Sequence, residues 1–285
     1  MTKAIRIYEI GGPEVLKWED VAVGEPGAGE VRLKHTAIGL NYIEVYQRTG
    51  LYKITDFPAT IGSEAGGVIE AVGVDVTDFK VGDRVTYAMN IGAYSEARTM
   101  STEKLVHVPD GIDDNVAGGM MLQGMTAYYL LHKTYPVKAG DTILIYAAAG
   151  GVGLIMCQWA KLLGATVIGC VGSEKKAELV KANGCDHPIL YRDESVSERV
   201  KEITDGEGVP VVYDSIGKST FMDSLDCLRP EGVMATFGSR VVYGAGGDLP
   251  PDCVVAVGGG GCLYTTCLSP MQSATHWFGQ LQAAQ

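Results

Sequence analysis

The chain has 285 residues, 46% hydrophobic and 20% charged, with a formal net charge of −11. That length suffices for one large domain or two medium ones, and the charge argues against nucleic acid or an anionic membrane surface as the main partner. The 38 glycines fall in short turn-like groups and no apolar run reaches membrane-spanning length, which excludes collagen-like, low-complexity and transmembrane readings.

Residues 1 to about 110 read as β-rich. Short apolar or alternating runs at Ala4–Tyr8, Val31–Ile38, Gly67–Val72, Arg84–Ala88 and Ala93–Thr99 lie between Gly/Pro/Asp turns such as Gly11-Gly12-Pro13 and Val81-Gly82-Asp83. This predicts a compact, barrel-like β domain with few helices. Asp113–Tyr135 then has helical spacing. From Asp141 the rhythm alternates: strand Thr142–Ala147, helix Gly151–Leu163, strand Thr166–Val171, helix Ser173–Ala182, strand Ile189–Tyr191, helix Val196–Thr204, strand Val209–Asp214, helix Thr220–Cys227 and strand Gly232–Gly238. Alternation of this kind specifies βαβ units and a doubly wound parallel sheet. The fold class is therefore α/β, a β-rich first domain followed by a Rossmann-type second.

The N-terminal residues Met1-Thr2-Lys3-Ala4-Ile5-Arg6 contain no apolar leader core, so a cytoplasmic protein is the default expectation. All seven cysteines lie in the second half, none spaced Cys-x-x-Cys, several within apolar runs. They read as buried free thiols of a reducing compartment.

The most informative stretch is Ala147-Ala148-Ala149-Gly150-Gly151-Val152-Gly153, which follows a predicted strand and opens a predicted helix. Aligned to G-x-G-x-x-G, its three key positions are Ala148, Gly150 and Gly153, a variant in which alanine replaces the first glycine. Gly150 lets the backbone approach a pyrophosphate, and Gly153 lets the helix pack against the strand. The helix N-terminus offers free N–H groups and the positive dipole end. The bland alternative is a glycine-rich turn that binds nothing.

At the end of the next strand, where an NAD site carries an acid for the ribose diol, the sequence reads Cys170-Val171-Gly172-Ser173. A 2′-phosphate would find a hydroxyl at Ser173, a cation at Lys176, and Tyr191-Arg192 after the following strand. Glu174 counts the other way, and the lysines also fit a solvated helix surface. The residues favour NADP over NAD.

At this point the chain resembles the quinone oxidoreductases of the medium-chain dehydrogenase/reductase superfamily, in the branch related to zeta-crystallin. The resemblance is carried by Gly11–Leu16, Asn41-Tyr42-Ile43-Glu44, Leu122–Leu131 and Gly140–Ala160, in order, and runs to about residue 239 and more loosely to about 268. It implies a GroES-like catalytic domain over 1–122, an NADP-binding Rossmann domain over 123–265, and a cleft between them holding NADPH and substrate. It implies Asn41 and Thr126 at the nicotinamide end, Gly150, Gly151 and Val152 on the pyrophosphate, and Ser173, Lys176 and Tyr191 around the 2′-phosphate. Tyr46 and Tyr52 would line the acceptor pocket. Plain alternatives remain for two of these: Tyr46 as β-domain packing and Asn41 as a turn-forming side chain. A homodimer through the Rossmann sheet edge is the family expectation, with Cys262–Thr266 similar to its interface strand.

The zinc alcohol dehydrogenases of the superfamily carry a cysteine where Asn41 stands here, and Gly-His-Glu where this chain has Gly62-Ser63-Glu64. No cysteine precedes Cys157, so their four-cysteine lobe has no counterpart, and no two of the five histidines are near in sequence. The expectation is a metal-free enzyme, with Glu64 left in a structural role. Without a Lewis acid the acceptor should already be electrophilic: a quinone, or as the alternative a 2-alkenal or enone. Catalysis would then rest on positioning, with Asn41 and Tyr46 polarising a carbonyl oxygen.

After Gly238-Ser239 the sequence departs from the family, and residues 266–285 read as a short, atypical tail without the usual late nucleotide-binding arginine. A natural short form and a reading-frame error or truncation both remain open. Either leaves apolar surface exposed on the first domain, so an inactive NADPH-binding protein is a further alternative.

Overall fold

The computed structural model describes residues 1–238 and two further strands, Cys253–Val257 and Leu263–Cys267. Expectations for 239–252, 258–262 and the tail beyond Cys267 lie outside the described residues. The chain divides into two compact units, Met1–Leu122 and a second that begins at Gln123.

The first unit contains β1 (Thr2–Ile7), β2 (Lys17–Val21), β3 (Glu30–Ile38), α1 (Ile43–Arg48), β4 (Ala59–Thr60), β5 (Glu64–Val72), β6 (Arg84–Ala88), β7 (Ala97–Ser101), β8 (Val106–His107) and α2 (Asp114–Gly119). Its main sheet runs β7-β3-β5-β6-β8, antiparallel throughout, and a smaller sheet runs β2-β1-β4. The alternation in β3 has a physical result: Val31 and Leu33 are fully buried while Lys34 faces solvent. With Ile69, Val85 and Tyr87 they form the core of this unit.

The predicted helix over Asp113–Tyr135 is not one helix. It divides into α2, α3 (Met121–Tyr129) and a π-helical turn over Leu130–Thr134. Gly118 and Gly119 end the first segment, and Gly118 packs so closely on β3 that a Cβ would sit 2.5 Å from that of Ala37.

The second unit continues with β9 (Thr142–Ile145), α4 (Gly151–Leu162), β10 (Thr166–Val171), α5 (Glu174–Ala182), β11 (His187–Leu190), α6 (Val196–Ile203), β12 (Val209–Asp214), α7 (Phe221–Asp226), β13 (Leu228–Thr236), β14 (Cys253–Val257) and β15 (Leu263–Cys267). Strand order is β11-β10-β9-β12-β13-β14-β15. The first five are parallel, and β14 and β15 are antiparallel. The continuous apolar runs are buried on both faces: Ile143, Leu144 and Ile145 on β9, and Val209, Val211 and Val212 on β12, are all at 0% exposure. The winding goes outward from β9 through β10 to β11, then returns to β12 on the other side. The order reverses between β9 and β12, which puts the loop after β9 at the switch point where doubly wound sheets bind nucleotides.

Candidate active site

The loop after β9 is short because Ala147 turns the chain with φ of 49°, in the left-handed region. Gly150 caps α4 with φ −78° and ψ 170°, and no side chain caps the helix. The Leu154 N–H makes the first helical bond, to the Gly150 carbonyl at 2.9 Å. The amides of Gly151, Val152 and Gly153 therefore lie ahead of the helical ladder, available to an anion. Gly153 has no room for a side chain, since a Cβ would stand 2.5 Å from the Ala147 carbonyl oxygen and 2.6 Å from that of Ala148. Ala148, the residue that departs from the glycine pattern, is fully buried, and Gly169 on β10 makes space for its methyl: a Cβ there would be 2.9 Å from it. The Val152 side chain packs on the core, so only its backbone is offered. Gln123 is a neighbour that the sequence did not single out; its carboxamide occupies the space a Gly151 side chain would need. Thr126 is partly buried on α3.

Ser173 is the N-cap of α5, and its hydroxyl makes no capping bond. Ser173 and Lys176 are exposed, one turn apart, and the Lys176 N–H bonds to the Ser173 carbonyl at 3.0 Å. Tyr191 comes to the same end of the sheet from β11, its hydroxyl 2.9 Å from where a Gly172 Cβ would be. The Arg192 guanidinium lies over its ring at 6.0 Å. The structure thus sets the Tyr191 hydroxyl beside Gly172, the residue before Ser173, with Lys176 on the adjoining turn and Arg192 as a second cation.

In the first unit, Asn41 precedes α1 and is 9% exposed. Its backbone N–H donates to Glu44 Oε2 at 2.7 Å and its Nδ2 to Glu64 Oε1 at 2.6 Å. Glu64 Oε2 accepts the Leu122 N–H at 2.8 Å. Burial pushes both carboxyls above the ordinary range, while the hydrogen bonds they accept pull them back. Ser63 and Tyr94 lie beside Glu44; burial, then the Glu44 carboxylate, raises the Tyr94 phenol. Glu44, Glu64 and Tyr94 were not foreseen as a cluster. One signal was in the sequence: an Asn followed three residues later by Glu is half of a capping box, and it marks the start of α1.

Tyr46 and Tyr52 stand edge to face with ring centroids 5.6 Å apart, and Tyr42 tilts against Tyr46 at 5.3 Å. Tyr42 is half exposed. The two tyrosines assigned to an acceptor pocket therefore stand in a row of three rings. Among the described residues no group of three or more His, Cys, Asp or Glu side chains is placed to hold a metal ion. No described helix is long and apolar enough to cross a membrane. Cys157, Cys170, Cys185 and Cys227 are free and buried; the side chains of the other three lie outside the described residues.

The family model for the alcohol dehydrogenase GroES-like domain matches residues 27–141, and that for the zinc-binding dehydrogenase matches 151–255. Quinone oxidoreductase of Pseudomonas aeruginosa is 52% identical over 240 residues, 84% of this chain and 74% of that protein. The chain belongs to the quinone oxidoreductase family. This family lies in the medium-chain dehydrogenase/reductase superfamily, with a GroES-like domain and a Rossmann-like parallel-sheet domain. Another relative of this quinone oxidoreductase family member, the 2-haloacrylate reductase of a Burkholderia species, is 49% identical over 272 residues, 93% of this chain and 80% of that one. The crystal structure of Escherichia coli quinone oxidoreductase complexed with NADPH is 44% identical, covers 86% of this chain and 76% of its own, and superposes with a TM-score of 0.83.

Proposed function

We propose that this chain reduces quinones with NADPH by hydride transfer that needs no metal. The observation that carries the reading is the glycine-capped N-terminus of α4, placed at the sheet's switch point in a member of this family. NADPH when bound supplies a hydride from its nicotinamide, and a quinone takes it with one proton to become a hydroquinone. The chain's own residues bind and orient. In the NADP-binding domain, put at 123–265, the backbone at Gly150 comes close to the diphosphate, and the amides of Gly151 and Val152 receive it. The Ser173 hydroxyl, the Lys176 ammonium and the Tyr191 phenol hold the 2′-phosphate, and Thr126 serves the nicotinamide end. In the first, over 1–122, Asn41 serves the nicotinamide end, and Tyr46 and Tyr52 offer aromatic walls to a planar acceptor. A carbonyl acceptor that is already electrophilic asks only for alignment and a hydrogen-bond donor, which Asn41 and Tyr46 supply. The protein is proposed to be cytoplasmic.

A second reading is favoured by the 2-haloacrylate reductase relative: delivery of hydride to the β-carbon of an activated alkene. The same binding residues serve either acceptor. NADPH oxidation measured side by side with a small quinone and a 2-alkenal decides between them. The quinone reading expects kcat/KM at least about tenfold higher with the quinone, a gap of about 1.4 kcal/mol. The reverse order would establish the alkene reading, and tight NADPH binding without turnover on either would leave a binding protein.

A further inference from the structure

Glu64 is 1% exposed and Glu44 3%, and neither forms an ion pair among the described residues. Two buried carboxyls with no cation paired to them among the described residues carry a desolvation cost that a purely structural design would avoid with apolar side chains. Both instead converge on one residue. Glu44 takes the backbone N–H of Asn41 and Glu64 takes its side-chain Nδ2. Because the carboxyl oxygens of Glu64 act as acceptors, the Asn41 carboxamide can face them only through its nitrogen, which fixes the flip of the amide. Glu64 is itself anchored at its other oxygen by the Leu122 N–H, and a Cβ on Gly39 would collide with its side chain.

We propose that Glu64 is a positioning residue for the hydride-transfer reaction: it sets the orientation of the Asn41 carboxamide, while Glu44 fixes the backbone of the same residue. This rests on the functional reading in which Asn41 serves the nicotinamide end. A glutamine cannot replace Glu64 in this role. The contacts of its carboxyl, from the Asn41 Nδ2 and the backbone of Leu122 and Met121, are all N–H donors, and glutamine offers one acceptor and one donor. One contact would become donor against donor, turning or displacing the Asn41 amide.

The test is a double-mutant cycle with steady-state kinetics, NADPH affinity and thermal melting on the full chain. Glu64→Gln should lower kcat about 10- to 100-fold, the scale of a misplaced reacting geometry, with KM for the quinone and NADPH affinity changed by less than about threefold. Asn41→Ala should show a loss of the same order. Asn41→Ala/Glu64→Gln should match Asn41→Ala within about twofold, since a residue acting only through Asn41 has nothing left to act on. Losses that multiply in the double variant would overturn the role while leaving the functional reading intact. A wild-type chain without turnover, or an Asn41→Ala variant with unchanged kcat, would overturn both. If Glu64→Gln does not fold, the wild-type protein still decides. One side-chain amide proton of Asn41, assigned by its absence in Asn41→Ala, should be shifted downfield and protected from exchange in 15N NMR. Two freely exchanging amide protons would contradict the proposal.

Discussion

His35 shows how one side chain carries a pH dependence. On β3 its Nδ1–H donates to the Ser95 carbonyl at 2.6 Å, and the Tyr87 hydroxyl donates to its Nε2 at 3.0 Å. Both contacts suit a neutral imidazole, and burial, with Arg98 nearby, pushes its pKa down to about 4. The folded value lies below the unfolded one, so the unfolded chain binds the extra proton between these limits. His35 therefore stabilises the fold fully above about pH 6.5, and that contribution is lost as pH falls toward 4. Over the whole window it amounts to about 3 kcal/mol. Urea denaturation at pH 7.5 and 4.5 should show a larger acid loss in the wild type than in His35→Asn, which cannot take up that proton; equal losses would refute it. Other residues differ in how far the sequence reveals them. Gly153 is legible because a local motif demands a missing side chain where helix meets strand. The Asn41–Glu64 bond is not, since it joins positions 23 residues apart that only the pairing of β3 with β5 brings together.

Elements were legible where burial is two-sided or alternation is clean. The runs at Thr142–Ile145, Thr166–Val171 and Val209–Asp214 are parallel strands because they lie between helix-covered faces. Short elements escaped: β2 buries little of Lys17–Val21, α1 is six residues long, and β4 and β8 have two residues each, below the length at which periodicity speaks. Predicted strand Ala93–Thr99 forms later, as Ala97–Ser101, because the segment ahead of it turns to bond Gly62 and Ile61. At the far side of the second sheet, β15 pairs with β14 on one side and is the last strand in the order. Among the described residues this five-residue strand has a neighbour on one side, and an edge strand needs a partner or protection. We propose that it pairs with its copy in a homodimer. Light scattering behind size exclusion should give about twice the chain mass of 30.2 kDa; a concentration-independent monomer would rule that out.

For the molecule as a whole, the net charge of −11 opposes an anionic cofactor, so affinity must come from local donors. In the proposed reading these are the amides ahead of Leu154 and the group of Ser173, Lys176, Tyr191 and Arg192. On that reading the cofactor preference depends on the second group, because both nicotinamide dinucleotides share the diphosphate. Titration of the purified chain with NADPH and NADH, repeated with Lys176→Ala, tests this most directly. The account predicts NADPH binding at least about tenfold tighter than NADH, the worth of one charge-assisted contact, with the gap narrowing in Lys176→Ala while NADH affinity stays the same. Equal affinities in the wild type, or no binding of either dinucleotide, would contradict it.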